Sequence, residues 1–419
     1  MKTYLQNHLK PACTFALTFL KWLALALGMG IVCGIVGTAF HFSIHYATDL
    51  FQSHSWLLYL LPLFGIVIVF LYQQQNMEHH SDTNAILNSI HSPEKVSIRL
   101  APLIFIGTTL THLGGGSAGR EGAALQIGGS IGTYISQKLK LPPRDRSVLI
   151  MCGMSAVFSA LFSTPVTAAV FCMEVISVGI IHYSALVPCL FSAIIANYLA
   201  SFLGVTPSYL GIPLSAEFSL VIAGKVLILS AVCALVSILF CVTIHKGGSL
   251  YKRLFPNPYF RILAGGILVI LLTLLVGNRD FNNSGMDLVA SALSGRTGSW
   301  DFLLKILFTA VTLGAGFKGG EIVPSFAVGA TLGCALSPLL GITPQLGAAV
   351  GLLSLFCGVV NCPLATILLG IELFGSGNLL LYCLAISVSY MLSGYYGLYS
   401  AQRIVYSKLE PHFIDKPTK

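Results

Sequence analysis

Long stretches of this chain are almost entirely apolar, and most of them reach or approach the roughly 18 residues that a membrane-spanning helix needs. Only 9% of the 419 residues are charged, against about 25% in soluble domains. The run that follows Lys21 is about 20 residues long, longer than the apolar core of a signal peptide. We therefore predict an all-α polytopic membrane protein whose first run is a spanning helix. The apolar runs comprise residues 22–42, 56–72, 185–202, 218–243, 262–276 and 379–392.

Basic residues cluster between apolar runs, and the chain has a net charge of +8. Basic loops are ordinary in membrane proteins, where Lys and Arg favour the cytoplasmic side, and we expect no nucleic-acid partner. The pattern leaves the orientation in the membrane open. The two basic clusters are Lys138, Lys140, Arg144 and Arg146, and then Lys246, Lys252, Arg253 and Arg261.

The two halves of the chain repeat one pattern. The segment STPVTAAVFCME contains Pro165 and Glu174, and the segment NCPLATILLGIE contains Pro363 and Glu372. Both pairs are separated by 198 residues (363 − 165 and 372 − 174). A fixed internal spacing is typical of repeat architectures. We interpret Glu174 and Glu372, which lie far along their helices, as structural residues.

A glycine-rich segment with a glutamate precedes each of these helices: GREG around Glu121 and GGEIVP around Glu321. The two glutamates lie 200 residues apart (321 − 121), which implies a two-residue length change between the repeats. Helices interrupted by glycine are tolerated at membrane depth only where they are buried in protein or line a cavity, and they mark transport sites. The pattern therefore predicts a repeat transporter.

Three segments are candidate helix N-termini: residues 81–85, 119–122 and 319–324. A helix N-terminus leaves backbone N–H groups unpaired and carries partial positive charge, and Pro324 suits the first turn of a helix. Glycines let an anion approach such a backbone closely. In mid-bilayer, these ends would bind an anion weakly enough for release.

Glu121 is itself an anion at the start of a helix. It can occupy an anion site when it is ionised and leave that site when it is protonated, so we interpret it as a tethered competitor of the anion and a proton carrier. An ionised Asp costs about 2.5–3.5 kcal/mol in mid-bilayer, and we take Glu as comparable. Two structural alternatives stay open: an ion pair with Arg120, or a helix cap.

Other polar residues have ordinary structural interpretations. Asn84 is either a helix cap or an anion contact, and Ser81 or Asp82 could cap the same helix. The Arg120 side chain is expected to brace the backbone or a nearby carbonyl group. Tyr399 would be an interfacial anchor.

Two motifs suggest other chemistry. Ser117 lies in a G-x-S-x-G motif and could act with His112 in an intramembrane hydrolase, but apolar helical sequence stands where this motif requires a strand. His79 and His80 are adjacent and lack the spacing of metal ligands. We predict no metal and no cofactor.

The segment GGGSAGREGAALQIGGSIG, residues 114–132, resembles the GREGP signature of the CLC family of chloride channels and anion/proton exchangers. The segments STPVTAAVFCMEV, GFKGGEIVPSFAVGATLG and GLYSAQ resemble CLC segments in order and spacing. The resemblance implies the CLC fold, with inverted repeats and about eighteen helices, many of them broken or non-spanning. It implies a homodimer with one pore per subunit. It also implies that Glu121 is the gating glutamate and that Tyr399 is the central pore tyrosine.

Three departures from the chloride exchangers make the sequence most similar to the fluoride/proton antiporter branch of CLC. One is that residues 201–209 contain no glutamate, where those exchangers keep an internal proton-transfer glutamate. HSDTNAILNSIHSP replaces the usual GSGIP segment, so that Asn84 stands where the central serine would be. GGEIVP replaces GGIFAP and adds Glu321, and in that branch the GGE glutamate takes part in coupling. The sequence departs from that branch as well. Val323 stands where a threonine is expected, and Ala123 follows GREG where threonine is usual.

The resemblance implies a set of pore residues. The gating and proton-transfer residues are Glu121 and Glu321. Fluoride is strongly hydrated, so its site must offer close donors such as the Asn84 N–H₂ group, and the ring edge of Phe326 could assist. The anion-binding residues are Asn84, Gly119, Arg120, Gly122, Ala123, Ile322, Val323 and Tyr399.

The expected domain plan follows from the resemblance. Residues 1–20 form an N-terminal segment, residues 21–403 a transmembrane domain with halves of about 21–205 and 218–403, and residues 404–419 a short tail without a CBS domain. We expect a multi-pass transporter, not an enzyme, in the cell (inner) membrane, whose partners are the lipid bilayer, protons and fluoride or chloride. The leading hypothesis is fluoride export in exchange for protons. A chloride/proton exchanger or passive chloride channel is the alternative, and the hydrolase is a remote one.

Overall fold

Helices dominate the chain because an apolar segment in lipid must satisfy its own backbone polar groups. The computed structural model describes residues 2–77, 82–91, 96–206, 210–211 and 218–419, with side chains from Thr14 onward. Within these ranges lie sixteen α-helices and two short 3-10 helices, Ser55–Leu60 and Tyr183–Ala185. The α-helices are α1 (Lys2–Ser53), α2 (Leu61–Gln74), α3 (Thr83–His91), α4 (Leu100–Leu113), α5 (Glu121–Lys138), α6 (Pro143–Phe162), α7 (Pro165–Glu174), α8 (Leu186–Phe202), α9 (Leu220–Leu254), α10 (Pro258–Val276), α11 (Met286–Leu293), α12 (Asp301–Ala315), α13 (Ile322–Leu340), α14 (Pro344–Val360), α15 (Pro363–Phe374) and α16 (Leu379–Leu392).

The helices confirm the prediction of a polytopic membrane protein. Seven helical stretches among the described residues are long and apolar enough to cross a membrane, and five further apolar helices are shorter. The shorter ones, such as α7 and α15, are the broken or non-spanning type that the sequence predicts. The seven candidate spans are residues 14–53, 55–74, 143–162, 183–202, 220–254, 258–276 and 322–340.

The predicted all-α fold is confirmed, and a small three-stranded sheet accompanies the helices. It comprises β1 (Ser177–Val178), β2 (Arg403–Tyr406) and β3 (Phe413–Pro417). Strand β1 pairs in parallel with β2, with Ser177 opposite Arg403, and β2 pairs antiparallel with β3. The residues expected to form a free tail after position 403 therefore return to the protein. At the other end, α1 begins at Lys2, so the boundary expected at position 21 lies inside a helix.

The two halves are built around crossings at which helix backbones touch. At the crossing of α5 and α6, an added Cβ at Gly128 would collide with the carbonyl oxygen of Gly153. At the crossing of α13 and α14, a Cβ at Gly351 would collide with the carbonyl of Gly329. Only glycine lets two helices approach this closely.

The spacing of the close-packed glycines corrects the alignment of the two repeats. Gly128 and Gly329 lie 201 residues apart (329 − 128), and α5 and α13 begin 201 residues apart (322 − 121). Gly153 and Gly351 lie only 198 apart (351 − 153). The length change is therefore three residues (201 − 198), not two, and it falls in α14, which has 17 residues where α6 has 20. The repeat equivalent of Glu321 is consequently Arg120, and not Glu121 as the sequence comparison predicts.

Glu174 and Glu372, the glutamates that the two repeats share, each cap a helix of the opposite half. The Glu372 carboxylate accepts hydrogen bonds from the backbone N–H groups of Val166 (3.0 Å) and Thr167 (2.9 Å) at the start of α7. The Glu174 carboxylate accepts those of Leu364 (3.2 Å) and Ala365 (2.8 Å) at the start of α15. Corresponding residues of these two caps lie 198 positions apart in the sequence (363 − 165 and 372 − 174), so an approximate two-fold axis relates the halves locally. This geometry agrees with the structural role expected for both glutamates.

We predict that Gly128→Ala lowers the free energy of unfolding by about 1–3 kcal/mol, because its methyl group overpacks the α5–α6 crossing. Gly224→Ala in α9 is the matched control, since nothing lies within 4 Å of its added Cβ. It should be neutral, or stabilising by up to about 1 kcal/mol. The thermal unfolding midpoint in detergent measures both effects. Equal midpoints for the two variants would contradict the close crossing.

Candidate functional site

The starts of α5 and α13 meet in the middle of the protein. Gly119 and Gly320 form an antiparallel bridge in which each N–H donates to the other residue's carbonyl oxygen, both at 2.7 Å. A side chain is excluded at both positions. A Cβ on Gly119 would collide with the Glu121 carboxylate, and a Cβ on Gly320 would lie 2.6 Å from the Gly122 nitrogen. The bridge therefore brings two helix N-termini, one from each half, to the same place.

The Glu121 carboxylate lies at the N-terminus of the opposite helix. One oxygen, Oε2, accepts a hydrogen bond from the Val323 N–H at 3.2 Å in the first turn of α13. The other, Oε1, accepts from the Arg120 N–H at 3.1 Å. The side chain is completely buried. A negative group thus occupies the position where the backbone of α13 offers unpaired donors and partial positive charge.

Glu321 occupies the N-cap position of α13 without forming the hydrogen bond that a capping side chain usually makes. It is the N-cap residue, and its side chain makes no capping bond. It is only half-buried, whereas its neighbours Ile322 and Val323 are fully buried. Its carboxylate is close enough to those of Glu121 and Asp82 to be repelled by them when they are ionised. Negative charge is therefore crowded at this junction.

The start of α3 packs against the same junction. A Cβ on Gly122 would lie 3.2 Å from both the Gly320 Cα and the Thr83 hydroxyl. The Thr83 hydroxyl also accepts a hydrogen bond from the Gln126 amide at 3.3 Å. Ala123 is completely buried beside them. Sequence reasoning missed Thr83 and Gln126, because a single threonine beside a possible cap carries no distinctive pattern.

Asn84 links α3 to the segment that carries Tyr399. Its Oδ1 accepts a hydrogen bond from the Ala401 N–H at 2.9 Å, and its amide group donates to Asp82 Oδ2 at 3.2 Å. Asp82, and not Asn84, caps the helix, since Asp82 Oδ1 accepts from the Ala85 N–H at 3.0 Å. The other predicted cap, Ser81, lies outside the described residues. The capping interpretation of Asn84 is therefore wrong.

Tyr399 is buried, with 2% of its surface exposed, and the prediction of an interfacial anchor is wrong. Its hydroxyl group has no hydrogen-bond partner among the described residues. An unpaired buried hydroxyl is costly unless a ligand or water satisfies it. Tyr399 thus supplies a free donor two residues from the Ala401 contact with Asn84.

The C-terminal strands hold Tyr399 in place. The Tyr399 carbonyl accepts hydrogen bonds from the Thr418 hydroxyl (2.7 Å) and the Gln402 N–H (2.9 Å). The Gln402 amide donates to the carbonyl groups of Val175 and Val360, at 2.9 and 2.8 Å. One buried glutamine therefore ties the tyrosine segment to both halves, a role that the sequence did not indicate.

Arg120 and Ser117 have structural contacts. The Arg120 guanidinium donates to the Leu161 carbonyl at 3.3 Å, as expected for a bracing side chain. Lys305, fully buried in α12, donates to Ser117 Oγ at 2.9 Å. Neither ring nitrogen of His112 has a hydrogen-bond partner among the described residues, so no serine–histidine pair exists. The hydrolase alternative is wrong. Lys305 was missed although a buried cation in an apolar helix is a recognisable signal.

A cavity reaches this region from one side. It has a volume of about 580 Å³, and Arg120 and His112 are among its lining residues. Its other walls come from the end of α1 and from residues 279–287. Arg120, the residue before Glu121 in the sequence, is therefore part of the cavity wall.

We predict that Thr418→Val lowers the free energy of unfolding by about 0.5–1.5 kcal/mol, the usual worth of one hydrogen bond. The change keeps the volume of the side chain but removes the hydroxyl group that donates to Tyr399. Thr418→Ser keeps the hydroxyl and is the control. Unfolding midpoints in detergent should follow the order wild type, Ser, Val. If the Val variant is as stable as wild type, Thr418 does not anchor the tyrosine segment.

Comparison with known proteins gives consistent results. Residues 64–394 match the family described as voltage gated chloride channel. A protein of Pseudomonas syringae pv. tomato named chloride/fluoride channel protein is 36% identical over 395 residues, which are 93% of this chain and 87% of that protein. A Vibrio cholerae protein named H(+)/Cl(-) exchange transporter ClcA is 27% identical over 392 residues, 86% of this chain and 83% of that protein.

Solved structures share the fold. The crystal structure of a CLC-type fluoride/proton antiporter superposes with a TM-score of 0.89 at 34% identity, covering 93% of this chain and 98% of that one. A slow cyanobacterial Cl⁻/H⁺ antiporter superposes with a TM-score of 0.74 at 21% identity, over 89% and 94% of the two chains. The predicted fold and the resemblance read from the GREG and GGE segments are both confirmed. This chain belongs to the voltage-gated chloride channel (CLC) family of ion transporters.

Proposed function

We propose that the protein exchanges fluoride for protons and so exports fluoride across the cell (inner) membrane, working as a homodimer. The observation that carries the proposal is the Glu121 carboxylate, which accepts the Val323 N–H at the start of α13. The names of two similar proteins support the choice of ions. One is a chloride/fluoride channel protein and the other a CLC-type fluoride/proton antiporter.

The exchange follows from competition for the same donors. Ionised Glu121 holds the Val323 N–H and excludes a second anion from it. A proton on the carboxyl group removes the charge that the helix N-terminus stabilises, so the side chain can leave and an anion can take its place. The return of Glu121 requires it to lose the proton and displaces the anion. Each cycle therefore couples a proton to the movement of an anion.

Glu321 is proposed to take part in coupling. Its carboxylate and that of Glu121 carry the same charge when both are ionised, so a proton on one of them reduces their repulsion. A proton on either residue would lower the barrier to moving the other. The hydroxyl group expected beside Glu321 is absent because Val323 is apolar, so backbone N–H groups have to serve as the anion's donors there.

Asn84 and Tyr399 are proposed to complete the anion path. The Asn84 amide spans the gap between Asp82 and Ala401, and the Tyr399 hydroxyl is a buried donor with no partner among the described residues. Fluoride is small and gives up its water only to close donors. Fixed amide and hydroxyl donors therefore favour fluoride over chloride, which is larger and more weakly hydrated.

Fluxes measured in proteoliposomes test the whole proposal. An outward fluoride flux that drives proton uptake against a gradient supports fluoride/proton exchange. Equal chloride and fluoride fluxes with proton coupling would instead make the protein a chloride/proton exchanger. Anion flux with no proton movement would make it a passive channel.

We predict that Glu121→Gln abolishes proton coupling, because the amide cannot carry a proton and has no charge to compete with the anion. Proton uptake driven by a fluoride gradient should fall to the level of empty liposomes. A Glu121→Gln protein that still pumps protons would remove this residue from the mechanism.

Glu321→Gln is the comparison variant in the same assay. It keeps Glu121 as a proton carrier but removes the second carboxylate, so turnover should slow while some coupling remains. Glu410→Gln, at an exposed position in the C-terminal segment, controls for the loss of one negative charge. Unchanged turnover of Glu321→Gln would leave this residue without a role in transport.

We predict that Asn84→Ser raises chloride flux relative to fluoride flux, because a shorter side chain cannot keep the contact with Ala401 and widens the anion path. The ratio of initial chloride and fluoride fluxes is the measurement. Asn88→Ser, an exposed change on the same helix, is the matched control. The selectivity role of Asn84 fails if the two variants give the same ratio.

A further inference from the structure

A wide apolar groove runs along the outside of the protein between α9, α10 and α12. Its volume is about 1100 Å³. The groove exists because glycine replaces larger side chains on α9. Gly247 lines the groove and lies against Ala310 of α12. The walls are leucines with large exposed surfaces: Leu250, Leu254, Leu268, Leu271 and Leu307.

Positive charge is concentrated at one end of this groove. Lys246 and Arg253 line it, and Lys252 adjoins them on α9. All three side chains are exposed. The sequence contains no Asp or Glu between positions 218 and 279, and among the described residues none of the three cations pairs with a carboxylate. Within the described part of the chain, the three cations therefore have no carboxylate partner.

The charged end lies where the helices leave the apolar region. Helix α9 ends at Leu254 and α10 begins at Pro258, with the Asn257 side chain capping α10. A turn of this kind marks the boundary between hydrocarbon and water, because polar backbone of a loop is not tolerated in exposed contact with lipid tails. The groove thus offers apolar walls at hydrocarbon depth and cations at headgroup depth.

We infer that the groove binds an anionic phospholipid, with acyl chains along the leucine walls and the phosphate on Lys246, Lys252 and Arg253. Basic pockets between membrane helices are suited to anionic headgroups. A second copy of the chain fits less well, because a symmetric contact would bring the same cations face to face. A free phosphate would leave the apolar walls without a partner.

Native mass spectrometry of the detergent-solubilised full-length protein tests the inference, with phosphatidylglycerol and phosphatidylcholine titrated separately. We expect at least one phosphatidylglycerol to bind about tenfold or more tightly than phosphatidylcholine, as several Lys–phosphate contacts allow. The triple change K246Q/K252Q/R253Q should abolish that preference. Soluble glycerol phosphate, added in excess, should not displace the lipid.

Two variants separate this site from nonspecific charge effects. K138Q/K140Q/R144Q removes the same charge from exposed residues of the other basic cluster and should keep the phosphatidylglycerol preference. Ala264→Trp fills the groove but keeps its cations, so it should weaken binding of both lipids. Equal loss in the two triple variants, equal affinity for the two lipids, or displacement by glycerol phosphate would overturn the inference. So would dimer loss in K246Q/K252Q/R253Q without a change in lipid binding. None of these results depends on transport activity.

Discussion

The structure depends on two helix N-termini held together at the Gly119–Gly320 bridge. Each helix start brings unpaired backbone donors into a region without water, and such donors need a negative partner. Glu121 satisfies the donors of the opposite half, with its Oε2 3.2 Å from the Val323 nitrogen. The same donors cannot serve the carboxylate and an external anion together. In the proposed mechanism, competition for this single position turns a structural cap into a transport element.

The site is assembled from four separate parts of the chain, and their connections explain its rigidity. Thr83 lies against Gly122, Asn84 bonds Ala401, and Gln402 ties the tyrosine segment to both halves. Each of these hydrogen bonds has a side chain at one end, so a change at Asn84 or Gln402 would remove it. Two side chains at this centre differ from the others: Glu321 makes no capping bond, and the Tyr399 hydroxyl has no hydrogen-bond partner among the described residues. Both are side chains able to move or to accept a ligand within a fixed frame.

The apolar runs and the GREG and GGE segments were enough to predict the membrane fold and the central position of Glu121. The register of the repeats could not be read from the glutamates, because Glu121 and Glu321 are not equivalent. Close-packed glycines such as Gly128 and Gly329 carry the correct spacing, since backbone contact tolerates no other residue there. The sheet formed by β2 and β3 was missed because its partner, Ser177–Val178, is more than two hundred residues away and too short to have a pattern. A hydrogen bond between distant parts of the chain, such as that of Asn84 and Ala401, produces no recognisable pattern in the local sequence.

The crossed capping by Glu174 and Glu372 limits how the two halves can move. Each carboxylate is held by two N–H groups of the opposite half. Rocking one half as a rigid body against the other would pull both carboxylates away from their donors at once, and it would leave the buried Glu174 carboxylate without these hydrogen bonds. The two crossed helix caps therefore hold the halves together. A transport cycle that keeps these caps would move individual side chains and leave the two halves in place.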